Sequence, residues 1–398
     1  MTEDISDCCS STCCAIPDQL ETQGDYLEEA TKASTFSSQY FRDMAEFLRD
    51  RFYLPLNVKP LDSYFVNSGA YASQFVEMLR GNNPHLDPTF PNLPQMIDHF
   101  SVRDIPVKVK LETGAYIFQT RVIESKEEVE GKKLRFILFS FYDHRDEDGN
   151  PWNPLTTKEL SSAALEVLKA FGQKVKVHSM MTFSLGSFIL DGLKNVAEED
   201  ADLIPKTLIL NRGLASIWKV ATKLFSFPVS YLLYQAVYLL GLDANPELEI
   251  LRFFARMQSQ SPQAMEGRKV VVLEAKHDRY FSGNGALDPN FRKNLTTTGV
   301  EAYQASFSIP MVAEQAHHAL RMDLLINNKD SGTVSADFLP AKENESLPLT
   351  LVQNLMSETD KNNYHTIFIT GGSKDSLDSV SYLQVAPLIS AFIDLKSR

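Results

Sequence analysis

Apolar and polar positions change rhythm along this chain. Between residues 27 and 82 they keep a helical beat, clearest in YFRDMAEFLRDRFYL, where Phe41, Met44, Phe47 and Leu48 share one face. Residues 83–106, with NNPHLDPTFPNLP, are rich in Pro and Asn and read as loop or linker. From Val107 the period shortens to two. VKVKLE alternates, AYIFQTRVIE follows across Thr113-Gly114, and KKLRFILFSFY is apolar enough for a strand buried on both faces. After the turn-rich DHRDEDGNPWNP, a helix is predicted from near Thr156. Leu160, Ala163, Ala164, Val167 and Leu168 lie on one side of it, and Gly172 ends it.

Strands and helices then alternate. KVKVHSMMTF reads as a strand that bends at Ser184 and continues as a helix after Gly186. KTLILNR (206–212), KVVVLEAKHDRYF from Lys269, and GVEAYQASFSI (299–309) read as further strands. HTIFITGG near the end is another, followed by a last helix, YLQVAPLISAFIDLK, with His365 at the strand start taken as structural. Such alternation implies right-handed crossovers and a mostly parallel α/β sheet with helices on both faces. Residues 1–26 are expected to be a disordered, cysteine-bearing tail, 27–106 a helical extension with its linker, and 107–398 the main domain.

Composition narrows the function. Of 398 residues, 43% are hydrophobic and 23% charged, enough to build a sizeable core. The net charge of −12 argues against nucleic acid and against strong attraction to anionic lipid surfaces. All the cysteines, Cys8, Cys9, Cys13 and Cys14, lie in the first fourteen residues, so the body is expected to hold no disulfide. They read as a plain polar tail, as lipidation sites or, least readily, as metal ligands. No secretory signal is apparent, which suggests a cytoplasmic protein or one translocated into a host cell. No cofactor and no metal site is expected; adjacent histidines point about 100° apart on a helix and make a poor metal pair.

Chemistry gathers where the predicted strands end. Reactive groups of parallel sheets collect at the carboxyl edge. Ser184 follows one strand, Asp278 the next strongly apolar one, and His317 and His318 come shortly after a third. A nucleophilic serine needs a base, and the base needs an acid to hold its tautomer. The chain order Ser, Asp, His is one of the orders in which such sets occur. His317 is favoured over His318 as the base, and Asp288 is a weaker substitute for Asp278. Around Ser184 the sequence reads Thr182-Phe183-Ser184-Leu185-Gly186, with small residues two before and two after, as a sharp strand-to-helix turn requires. The Leu185 N–H is an oxyanion donor in this reading, with the Tyr142 N–H as a second. Ser184 as an ordinary helix cap is the plainer alternative. Ser179, a rival bend, would need Met181 at a small position.

These residues resemble the α/β-hydrolase superfamily. LILNRGLASIWKVATKLF (208–225) further resembles a DR-x-F-S-S-L-x-x-V segment of the chlamydial 43 kDa (CHLPS) protein group, to which the SidB-type Legionella effectors are related. The resemblance covers roughly 107–326. It implies a serine esterase or lipase, acting on an ester or lipid, and delivery into a host cell where a host protein partner is expected. The chain departs from the pattern twice. Asn211-Arg212-Gly213 stands where the family has an acidic Asp-Arg, which removes any acid role there. Only about 33 residues separate Phe141 from Lys174, so one strand–helix unit is missing or displaced. The usual His-Gly oxyanion loop is also absent, with FSFYDHRDEDG in its place. A catalytically inactive fold serving as a protein- or lipid-binding module is therefore the alternative. The uncharged run LFSFPVSYLLYQAVYLLGL (224–242) reads as buried helices, as part of an apolar cap near 217–262 that could touch a membrane peripherally, or as a membrane span.

Overall fold

The computed structural model describes residues 98–139, 145–146, 156–239, 241, 243–275, 287–307, 347–370 and 377–397. The expected tail and helical extension lie outside these residues. The strands are β1 (Phe100–Leu111), β2 (Gly114–Ser125), β3 (Lys133–Phe139), β4 (Arg145–Asp146), β5 (Ser179–Phe183), β6 (Thr207–Asn211), β7 (Lys269–Ala275), β8 (Glu301–Phe307) and β9 (Tyr364–Thr370). The helices are α1 (Thr157–Gly172), α2 (Phe188–Asp191), α3 (Ile217–Leu224), α4 (Val229–Leu239), α5 (Pro246–Gln260), α6 (Phe291–Thr297), α7 (Leu347–Leu355) and α8 (Leu377–Ser397).

Period-two patterning builds the middle of the molecule. On β5, β6 and β7, Met180, Leu208, Leu210, Val270 and Val272 point to one face. Met181, Ile209, Val271 and Leu273 point to the other. The first set packs with residues of α1, α2 and α5, the second with residues of α7 and α8. Each such side chain contributes about 1.5–3 kcal/mol on burial, and two covered faces explain why these strands are apolar throughout. Helix α1 starts as its sequence implies. Thr156 accepts from the Glu159 N–H at 3.2 Å and Glu159 reaches back to the Thr156 N–H at 3.2 Å, a reciprocal cap.

The strand order is β1-β2-β3-β9-β5-β6-β7-β8, with β4 beside β2. Contacts from β3 to β8 are parallel, and β1, β2 and β3 pair antiparallel. This order locates the unit that the sequence leaves missing before the elbow strand. Its slot between β3 and β5 is filled by β9, from near the C-terminus. Leu134 pairs with His365 on one side of β9, and Ser179 pairs with Ile367 on the other. The unit is displaced, and α8, which follows β9, covers the sheet beside it.

Two expectations need correction. Strand β1 begins at Phe100, so residues 100–106 of the expected linker are strand, Pro106 included. Proline lacks a donor but is tolerated here because β1 is the edge of the sheet. The 224–242 run is not one span: α3 ends at Leu224 and α4 covers only Val229–Leu239. Among the described residues no helix is long and apolar enough to cross a membrane.

Candidate active site

Strand β5 is buried along its whole length and delivers Ser184 at its carboxyl end. There the chain turns sharply. Ser184 has φ +50°, in the left-handed region that only glycine enters freely. A 3-10 turn, Ser184–Ser187, leads directly into α2. An ordinary N-cap keeps extended backbone, as Thr156 does at φ −135°. Ser184 does not, so the plain cap reading fails on backbone geometry. Holding a serine in this conformation costs about 1–3 kcal/mol, which the surrounding structure must supply.

That support is visible on both sides. From β9, the Thr370 hydroxyl donates to the Gly186 carbonyl at 2.9 Å. From the loop after β6, the Leu214 N–H donates to the Ser187 hydroxyl at 3.2 Å, and Ser187 in turn faces the Thr182 hydroxyl at 3.5 Å. Thr182 is buried beneath the turn. Gly213 eases this approach: a Cβ there would meet Leu210 Cβ at 3.3 Å, a tight contact, and the Ser187 hydroxyl at 3.5 Å. Ser184 itself stays partly exposed, while Phe183 before it and Gly186 after the turn are buried.

Arg212, just past β6, also has positive φ (+48°) and is 2% exposed. Its N–H binds the Leu273 carbonyl at 2.8 Å, one guanidinium N–H binds Asn211 Oδ1 at 2.8 Å, and the group lies 6.0 Å from the Phe183 ring centre. Phe183 and Asn211 are register partners. A buried guanidinium therefore sits against the strand that carries Ser184. In the sequence Arg212 reads only as part of Asn211-Arg212-Gly213, where an acidic residue is lost. The signal available was an Arg-Gly pair directly after a fully apolar strand. Asn211 Nδ2, also buried, finds no hydrogen-bond partner among the described residues.

The described residues contain part of the expected catalytic set. Ser184 and the Leu185 backbone are among them, adjacent at the turn. Asp278, His317, His318 and Tyr142 lie outside. Their strands do share one edge: β5, β6, β7 and β8 are consecutive and parallel, Asp278 follows the end of β7 by three residues, and His317 follows the end of β8 by ten. Asp288 is described; it closes the turn before α6, accepting from the Asn290 N–H at 2.7 Å.

At the opposite end of β5 a Ser–His contact exists. The Ser179 hydroxyl lies 2.9 Å from His365 Nε2, while His365 Nδ1 is 2.7 Å from the Glu358 carbonyl. Since a carbonyl only accepts, Nδ1 carries the proton and Nε2 accepts from Ser179. Both residues are buried. His178 stacks on His365 with ring centres 4.9 Å apart. Burial, chiefly, pushes His365 down to about 3, with His178 and Lys176 adding to the effect. Burial also lowers His178. No group of three or more metal-ligating side chains occurs among the described residues.

The mostly parallel sheet, its helices on both faces and the strained serine turn at the carboxyl edge define an α/β-hydrolase-like fold. No known family matches the chain, and no curated protein does. Among solved structures, an esterase from Rhizomucor miehei matches at 13% identity and TM-score 0.29, covering 59% of this chain and 86% of its own. An esterase from Pyrococcus furiosus matches at 10% and 0.31, covering 54% and 84%. One from Pyrobaculum calidifontis matches at 11% and 0.32, covering 69% and 89%. At these TM-scores the class rests on the sheet order and the turn.

Proposed function

We propose that the chain is a serine hydrolase of esterase or lipase type, with Ser184 as nucleophile. The observation that carries this reading is the left-handed backbone of Ser184 at the end of a fully buried strand. Strain of that kind persists where function requires the side chain to stand out from the turn. In the proposed cycle, His317 removes the hydroxyl proton as Ser184 Oγ attacks the ester carbonyl carbon, and Asp278 orients His317. The oxyanion is held by the Leu185 and Tyr142 N–H groups. The proton passes to the departing alcohol. Water, deprotonated by His317, then releases the acid and restores Ser184.

An apolar acyl group suits the surface next to this edge. Phe227, Leu232, Tyr238 and Leu239, on and beside α4, are 77%, 64%, 59% and 71% exposed. Such a patch supports a lipid-like ester or a membrane surface as the substrate's source. The second reading, an inactive fold that binds lipid or protein, draws on the same patch together with FSFYDHRDEDG in place of the usual oxyanion loop. Delivery to a host cell would follow only from the 208–225 segment.

A fluorophosphonate probe separates the two readings, because it reacts with a serine already activated by a base. Labelling of the full chain that disappears in Ser184→Ala supports the enzyme. A folded protein that takes up no label supports the binding module.

A further inference from the structure

The amino ends of the same strands enclose a second feature. Between the end of α1 and the starts of β5, β6 and β7 lies a cavity of about 400 Å³. It is the far end of the sheet from Ser184. Four cationic side chains line it, Lys174, Lys176, Lys206 and Arg268, against two carboxylates, Asp202 and Glu358. That is a local positive excess on a chain whose net charge is −12.

Arg268 is the unusual member. It is 2% exposed, yet among the described residues no carboxylate lies within ion-pair distance. Its guanidinium donates to the carbonyls of Ala264 at 2.6 Å, Ile204 at 3.2 Å and Ala201 at 3.0 Å. A guanidinium has five N–H donors, so two have no partner among the described residues. Carbonyl dipoles, the Phe253 ring 5.9 Å away and the more distant Asp202 carboxylate leave this buried charge without a close counter-ion among the described residues, and an anion in the adjoining cavity would supply one. His178 also lines the cavity. Its Nδ1 accepts from the Thr366 N–H at 3.1 Å, which leaves the proton on Nε2, and that N–H finds no partner among the described residues. The Thr359 carbonyl influences this ring without reaching hydrogen-bond geometry. Lys174, Lys176 and Lys206 stand exposed at the rim. Lys206 Nζ meets a carbonyl, that of Glu266 at 3.1 Å, and none of the three pairs with a carboxylate among the described residues.

We infer that this cavity binds a multivalent oxyanion, a phosphate or phosphate-ester group, with Arg268 at its floor and the three lysines at its mouth. The site is separate from the proposed nucleophile, so the inference stands or falls independently of the catalytic reading.

Calorimetric titration of the full chain tests it, with inorganic pyrophosphate and glycerol phosphate as soluble probes. Co-flotation with phosphatidylcholine vesicles, with and without phosphatidate, covers the lipid source of the same group. Binding should weaken as salt rises. It should fall about tenfold or more in Lys174→Ala/Lys176→Ala, return in Lys174→Arg/Lys176→Arg, and leave fluorophosphonate labelling unchanged. Binding of the soluble probes assigns a free ligand; binding of phosphatidate vesicles alone assigns a lipid headgroup. Absence of binding to every probe, or equal binding by the alanine variant with its circular dichroism intact, overturns the inference.

Discussion

Ser179 opens β5 and Ser184 follows its last residue, yet the two serines have opposite properties. Ser179 donates a good hydrogen bond to an imidazole, is fully buried and makes a relaxed ladder contact with Ile367. Ser184 stands in a strained turn, partly exposed, at the carboxyl edge. A Ser–His hydrogen bond alone therefore does not mark a nucleophile. At Ser179 the imidazole is held by a backbone carbonyl and has no room for a substrate. Burial has also pushed it so far down that it is a weak base. At Ser184 the backbone is strained and the residue partly exposed, and three neighbouring parallel strands end on the same side. In the proposed reading, position in the sheet separates the two serines where local chemistry would confuse them.

The sharpest way to break this contrast is to remove each hydroxyl in turn. Ser184→Ala should lower ester turnover on the order of 10⁶-fold and abolish fluorophosphonate labelling. Ser179→Ala should retain the label. Label that survives in Ser184→Ala and vanishes in Ser179→Ala would reverse the assignment.

Acid should expose the other end of the strand. His365 sits at about 3 in the folded chain against an ordinary 6.5. The unfolded chain thus binds the proton first as pH falls. The stabilising contribution is full above pH 6.5 and is lost progressively down to pH 3, amounting to about 5 kcal/mol at most. Urea denaturation at several pH values should show this slope, and His365→Gln, which cannot titrate, should flatten it. Equal slopes in both proteins would mean His365 is not held neutral.

Relief of strain gives a smaller effect of opposite sign. Ser184→Gly should raise stability by about 1–3 kcal/mol, seen as a higher Tm, while removing the nucleophile. A lower Tm would show that Ser184 is not under strain. The smallest change concerns the brace. Thr370→Val keeps shape but loses the bond to the Gly186 carbonyl, costing about 1 kcal/mol and slowing the labelling of Ser184. Labelling at the original rate would show that β9 does not hold the turn.

Much of this architecture was legible before any coordinates. The alternation in 107–125, the capping pair Thr156 and Glu159, and the strand–turn–helix at Ser184 are local patterns, and local patterns follow from backbone geometry over a few residues. The edge strand was less legible. Pro106 and the Asn/Pro-rich stretch before it pointed to a linker, because a single sequence does not show that the strand's proline lies at the rim of a sheet.

The sequence by itself determined the period of each element, the apolar strands that need two covered faces, and Ser184 between small residues. Only the tertiary structure decided that β9 fills the slot between β3 and β5, that Arg212 and Arg268 are buried, and that His178 and His365 stack on one another. The physical reason is range. Hydrophobic period and capping act between neighbours in the chain, whereas these arrangements join segments such as Ser179 and His365, 186 residues apart. Their free energy depends on which surfaces end up sharing the removal of water.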